Sequence, residues 1–134
     1  MPLILHHLAV TAADLETGRV WYDAFLGALG YKPGTVDPAI CTWGGVEPEI
    51  LLYPVEGDDR ALHTHGRPGS QHFAFAVDGR DLVDAVHDAV VKVGTGLVVH
   101  PPQEYDYMPG YYAVFVEDPS GVRWEILTMD KASA

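Results

Sequence analysis

Only one cysteine, Cys41, occurs in the chain, so no internal disulfide can form and a reducing, cytoplasmic setting is the simplest expectation. Basic residues are scarce: 8 Lys and Arg stand against 19 Asp and Glu, a formal charge of −11. Nucleic acid and anionic membrane both need a basic surface, so neither is expected as a partner. The acidity reads as a device for solubility or as a preference for a cationic ligand. No apolar run reaches the roughly 18 residues that a membrane helix needs. The start, Met1-Pro-Leu-Ile-Leu-His-His7, has neither the basic end nor the cleavage pattern of a secretory signal, and none is expected.

What is present is 134 residues, 48% of them apolar, enough for one domain with its own core. Val114 to Thr128 holds two apolar runs around Asp118-Pro-Ser-Gly121. Pro119 suits the first central position of a turn, Asp118 can accept from its own backbone, and Gly121 tolerates a positive φ, so a β-hairpin is predicted. Its second strand carries Glu125 between Trp124 and Ile126. A carboxylate in an apolar strand is costly to bury unless it is paired, protonated or bound to a metal. His7 and His72 sit in equally apolar strands.

Taken in order, Leu3 to Val10 predicts a strand, with His6 and His7 on opposite faces by alternation. Asp14 is a good N-cap for a helix from Leu15 to Leu29, with Gly30 as its C-cap. Tyr31 to Asp37 reads as a short strand and turn, and Ala39 to Trp43 and Glu49 to Val55 as two more strands. Residues 57–70 are rich in Gly, Asp, Arg, Pro and His and predict an exposed linker. Gln71 to Val77 is a strand. Asp81 is placed to cap a second helix with Leu82, Val86, Val90 and Val93 along one face, ended by Gly94 and Gly96. Leu97 to His100 is a short strand and Pro101 to Gly110 a loop. The hairpin follows, and then a short tail, residues 130–134. The halves repeat: each runs strand, helix, strand, strand, strand. His7-Leu-Ala-Val matches His72-Phe-Ala-Phe, and Asp-Leu opens each helix. The boundaries are module 1 at about 1–56, module 2 at about 71–129, in a single domain over 1–134.

In these features the chain resembles the vicinal oxygen chelate superfamily, which includes glyoxalase I, extradiol dioxygenases, methylmalonyl-CoA epimerase and the fosfomycin and bleomycin resistance proteins. The resemblance rests on His-Leu-Ala-Val followed by Asp14-Leu15 and a helix with Trp21-Tyr22, on Gln71-His-Phe-Ala-Phe, and on Asp118-Pro-Ser-Gly with Glu125 four residues on. It implies an α+β fold of two βαβββ modules forming a cupped mixed β-sheet. It also implies one divalent transition metal (Fe, Mn, Ni, Co or Zn) held by His7, His72 and Glu125, with Glu125 as the catalytic carboxylate. Imidazoles and a carboxylate suit those ions, and three ligands leave room for two substrate oxygens. The bland alternative for Glu125 is pairing with Arg123 or Arg19; for each histidine it is an ordinary core or surface position.

A fourth ligand from the last strand of the first module is implied in glyoxalase I and the epimerases. The echo of Glu49-Ile-Leu51 in Glu125-Ile-Leu127 nominates Glu49, whereas an alternative alignment puts Leu51 there. Tyr111, Ala113 and Phe115 share one strand face, which the resemblance turns towards the substrate, so Tyr111 and Phe115 are the substrate-binding candidates. Tyr105 and Tyr107 are placed to form a lid or a solvated loop. His6, His63, His65, His87 and His100 are read as structural or exposed. The implied function is a metal-dependent enzyme with glyoxalase-like lyase or isomerase chemistry on a small molecule with vicinal oxygens, working as a homodimer. A ring-cleaving dioxygenase and a non-catalytic bleomycin-type drug binder are the alternatives. A hydroxyl-bearing Tyr is common near position 115 in dioxygenase and fosfomycin-type members, and Phe115 departs from that pattern.

Overall fold

The computed structural model describes residues 2–129, and its elements fall into two successive βαβββ modules. Module 1 comprises β1 (His7–Ala12), α1 (Leu15–Ala28), β2 (Lys32–Asp37), β3 (Ile40–Gly44) and β4 (Glu49–Pro54). Module 2 comprises β5 (Phe73–Ala76), α2 (Arg80–Val93), β6 (Leu97–Glu104), β7 (Tyr112–Glu117) and β8 (Arg123–Thr128). Each module forms a four-stranded mixed sheet of the same order, β1-β4-β3-β2 and β5-β8-β7-β6. The first strand of each module lies at an edge, parallel to the last strand. The α+β duplication expected from the sequence is therefore the architecture. The expected tail, 130–134, lies outside the described residues.

Three local expectations change. β1 begins at His7, and Leu3, Ile4 and Leu5 before it are exposed. Alternation therefore does not reach back to His6, and the His6 and His7 rings meet, Nδ1 to Nδ1, at 2.9 Å. Asp81 is not the cap of α2. Gly79 takes that place at φ 85°, its N–H donating to Thr128 Oγ1 at 3.2 Å, and Asp81 lies in the first turn, where its charge suits the helix dipole. β6 runs on through Pro101 and Pro102 to Glu104. Proline has no N–H for a ladder, but β6 is an edge strand with an irregular register, where that loss is tolerated.

Alternation divides each sheet into a packed and an open face. Val10, Ala12, Trp43, Ile50 and Leu52 are buried in module 1, while His7, Ala9, Thr11, Glu49 and Tyr53 on the other face are exposed. Module 2 buries Val114, Val116, Trp124 and Ile126, and leaves His72, Ala74 and Ala76 exposed. α1 supplies Trp21, Tyr22, Phe25 and Leu26 to a core shared by both modules. Trp124 is its centre, with ring centroids 5.6 Å from Phe25, 5.1 Å from Phe73 and 5.7 Å from Phe75.

The turn between β7 and β8 fastens these pieces. Asp118 Oδ1 accepts from the N–H groups of Ser120 (2.8 Å) and Val122 (3.0 Å), the self-bonding turn anticipated from the sequence. Oδ2 accepts a short hydrogen bond from Tyr22 of α1, whose hydroxyl accepts in turn from Trp124 Nε1 at 3.0 Å. Ser120 Oγ accepts from Ala13 N (2.9 Å), and Ser120 O accepts from His63 N of the linker (2.8 Å). A Cβ on Gly121, at φ +91°, would lie 2.0 Å from His63 O, so only glycine fits there.

Tyr22→Phe strips the acceptor from a buried indole N–H and one donor from a buried carboxylate. A loss of at least about 2 kcal/mol in unfolding free energy is expected by urea denaturation. Burial pushes the Asp118 carboxyl above its ordinary value of 3.8, against the hydrogen bonds that lower it. The folded chain thus keeps a proton that the unfolded chain releases. That contribution is complete below the ordinary value and lost as pH rises through the raised one. The melting-temperature difference between wild type and Asp118→Asn should therefore shrink as pH is raised above the ordinary value of 3.8.

Candidate metal and substrate site

β8 carries Glu125 on the face opposite Trp124, and β5 places His72 just before its first residue, on the same open face of the sheet. His72 Nε2 lies 3.1 Å from Glu125 Oε1. His72 Nδ1 makes a short hydrogen bond to Gln71 Oε1, which leaves Nε2 as the nitrogen facing the carboxylate. Glu125 Oε2 accepts a short hydrogen bond from the Tyr111 hydroxyl. Glu125 is only 4% exposed, although it lies on the open face of its sheet. Tyr105 and Tyr107, from the loop that follows β6, line the same cavity as Glu125.

Arg123 and Arg19 do not neutralise Glu125. Arg123 pairs with Glu117 at 2.8 Å, and Arg19 with Glu16 and Asp23. Glu125 is thus a buried carboxylate whose partners are an imidazole and a phenol. Burial and the Glu125 carboxylate both push the Tyr111 phenol above its ordinary range, so it stays a donor at neutral pH.

A cavity of about 330 Å³ opens here, lined by Gln71, His72, His100, Tyr105, Tyr107, Phe115, Arg123 and Glu125. Phe115 is its hub, with ring centroids 5.8 Å from His72, 5.7 Å from His100 and 5.8 Å from Tyr105. Of the two substrate-binding candidates, Phe115 lines the cavity, and Tyr111 lies behind Glu125 with its ring 6.3 Å from Tyr105. His100, Tyr105, Tyr107 and Gln71 lay outside the candidate set. For the tyrosines, the usable signal was two aromatic side chains in an otherwise polar loop. Nothing in the sequence singles out Gln71 or His100.

A larger cavity, about 670 Å³, lies between β1 and the linker. Its histidine, His63, bonds through Nε2 to Ser70 O at 2.9 Å, and no carboxylate pairs with it among the described residues.

His7 stands apart, exposed on the open face of module 1. Among the described residues, no group of three His, Cys, Asp or Glu is placed to hold an ion. One chain therefore brings together His72 and Glu125, and keeps His7 on the other sheet. The ladders show that His7 is the internal counterpart of His72. Two residues after each histidine, Ala9 pairs with Leu51 and Ala74 pairs with Glu125. Leu51, not Glu49, thus occupies the position equivalent to Glu125; Glu49 pairs with His7 itself.

The His72–Glu125 pair fits a divalent ion. One imidazole nitrogen and one carboxylate oxygen converge, and Gln71 and Tyr111 orient them from behind, as outer partners of metal ligands do.

The sequence matches the Glyoxalase/Bleomycin resistance protein/Dioxygenase superfamily over residues 4–126. It is 26% identical over 126 residues to the Bacillus subtilis protein YqjT, covering 92% of this chain and 97% of that one. A glyoxalase/bleomycin resistance protein from Albidiferax ferrireducens superposes with a TM-score of 0.75 at 26% identity, over 92% of this chain and 97% of its own. Lactoylglutathione lyase from Agrobacterium tumefaciens shares the fold, with a TM-score of 0.65 at 21% identity over 95% and 94% of the two chains.

Removing the Tyr111 hydroxyl leaves Oε2 of a buried carboxylate without a donor. Tyr111→Phe should lower the unfolding free energy by about 1–3 kcal/mol, while Tyr107→Phe, on an exposed ring, should leave it within about 0.5 kcal/mol. Urea denaturation of both variants provides the check.

Proposed function

Because the chain belongs to the glyoxalase/bleomycin resistance protein/dioxygenase superfamily, we propose that it is a metal-dependent enzyme for a substrate that binds through two adjacent oxygens, built as a homodimer. The carrying observation is the His72–Glu125 pair, oriented by Gln71 and Tyr111, together with a matching histidine on the open face of the other module.

The dimer follows from what the chain leaves unpaired. β1 and β5 each have one free edge, and both sheets have an open face. Free edges and open sheet faces call for a partner. Laying β1 against the partner's β5, with the converse contact by two-fold symmetry, extends each sheet into a cup. It also brings the partner's His7 towards His72 and Glu125. The exposed residues Leu3, Ile4 and Leu5 lead into that edge.

When bound, a divalent ion would polarise a substrate carbonyl and stabilise negative charge on its oxygen. His72, Glu125 and the partner's His7 would hold it, in a donor set suited to Fe, Mn, Ni, Co or Zn. Tyr111 fixes the rotamer of Glu125, the carboxylate that meets the substrate. Phe115 supplies an apolar wall that keeps water from one side of the site. The buried free thiol of Cys41 fits a reducing, cytoplasmic setting.

Lyase or isomerase chemistry of the glyoxalase kind is the leading reading. Ring-cleaving oxygenation is the second, and one observation favours it. Leu51 removes the fourth ligand, so two histidines and one carboxylate remain, the set that leaves positions open in non-haem iron oxygenases.

Metal content of purified protein, measured by plasma mass spectrometry, tests the site. About one equivalent of transition metal per chain is expected, and none in His72→Ala or His7→Ala homodimers. A heterodimer of His7→Ala with His72→Ala, isolated by two different tags, should recover about one ion per dimer, because one of its two sites is then intact. No recovery would sink the cross-chain site. No metal in wild type, even after reconstitution, would leave drug binding as the better reading.

A further inference from the structure

Among the described residues, three buried side-chain polar atoms lack a protein partner: Trp21 Nε1, Arg80 Nε and the Tyr105 hydroxyl. The first two belong to packed structural groups. A Cβ on Gly96 would meet Trp21 Nε1 at 2.7 Å, and Arg80 spends another nitrogen on Glu104 (2.9 Å) with its guanidinium 4.5 Å above the Tyr112 ring. Tyr105 differs because its side chain lines the His72–Glu125 cavity.

We propose that the Tyr105 hydroxyl is a ligand-recognition group of this site, donating a hydrogen bond to an oxygen of a flat, ring-bearing ligand whose ring packs against Phe115. This rests on reading the cavity as the substrate site. A buried hydroxyl without a partner costs about 1–3 kcal/mol, a cost that an arriving acceptor removes. Of the cavity's other polar side chains, Arg123 pairs with Glu117, Gln71 with His72, and Glu125 with His72 and Tyr111, while His100 and Tyr107 are exposed to water. Tyr105 holds the buried donor still available.

The walls favour a ring. Tyr105, Tyr107, Phe115, His72 and His100 all present ring faces or edges, and Tyr105 stands at 75° to Phe115 with centroids 5.8 Å apart. A volume of about 330 Å³ is roughly twice the 150 Å³ that holds a benzene, room for one substituted ring.

The loop bearing Tyr105 is already in place. Tyr105 N donates to Tyr111 O at 3.0 Å and Tyr111 N to Met108 O at 3.2 Å, while the Tyr105 and Tyr107 rings stack at 5.1 Å. The loop is thus held in position before a ligand arrives, and the hydroxyl, closed to water, meets an acceptor once the Tyr105 ring shifts towards the cavity. Burial, Tyr107 and Glu125 raise its pKa, which keeps the proton on the oxygen.

The test compares wild type with Tyr105→Phe in three measurements: Zn(II) uptake by calorimetry, affinity of the Zn-loaded protein for 4-nitrocatechol by absorbance, and melting temperature of the metal-free protein. The variant should take up Zn(II) as wild type does, melt at the same or a higher temperature, and bind 4-nitrocatechol about tenfold more weakly. Equal affinity overturns the proposal. So does a lower melting temperature, because the hydroxyl would then have a structural partner, such as the other subunit. Zn(II) uptake without any 4-nitrocatechol binding by wild type overturns the role of Tyr105 alone. Absence of Zn(II) uptake by wild type overturns the metal-site reading, and this proposal with it.

Discussion

The buried Asp118 carboxylate is the constraint to which the rest of the chain is fitted. Four residues of a turn fold around Oδ1, and Oδ2 receives the Tyr22 hydroxyl from the far module. A carboxyl group taken out of water must be met by hydrogen-bond partners on all sides, and here they come from separate parts of the sequence. The requirement therefore locks α1 against β8. It sets Trp124 at the centre of the shared aromatic core, and that fixes which face of β8 is left for Glu125. One buried carboxyl group ties down the turn before β8, and another, Glu125, lies on the face of β8 opposite Trp124.

Internal duplication gives the two modules the same sheet order but divides the chemistry unequally between them. Module 2 holds an imidazole and a carboxylate under an aromatic loop; module 1 offers a histidine on a bare face, with Leu51 where the carboxylate would be. Since α1 and α2 fill the space between the packed faces, the two open faces do not meet within one chain. Module 2 also covers its own open face in part, through the loop that follows β6. The asymmetry gives one module a pocket with an imidazole and a carboxylate, and the other an exposed histidine without a carboxylate at the equivalent position.

Much of this was legible in the sequence because alternation and helical spacing are local. Asp14 caps α1 through Thr17, Gly94 ends α2 in the left-handed region, and the Asp118 turn bonds to its own backbone, each as its residues suggest. The Glu49 question could not be read that way. Glu49 and Leu51 lie two residues apart and share a strand face, so periodicity cannot choose between them; only the ladder, an interaction across about 40 residues of sequence, does. Pro101 and Pro102 hid the length of β6, because their tolerance depends on the strand being at an edge. Tyr105 was legible only as part of a lid or a solvated loop, because a tyrosine in a polar loop does not show what lies opposite it. Its ring packs against Tyr111 and Phe115, a contact between the loop and the strand that alternation within the strand does not show.

The position of the Asp118 turn, between the last two strands and far behind α1 in sequence, has a consequence for synthesis. A ribosome delivers α1 long before residues 118–124, so in the nascent chain Tyr22, Phe25 and Ala13 emerge without the groups that will hold them. Domains tend to form as units once their sequence is available, and here that unit becomes available only after the β7–β8 hairpin has been made. Module 1, though it contains a complete set of strands, must wait for the last hairpin of module 2 before its helix has a settled place.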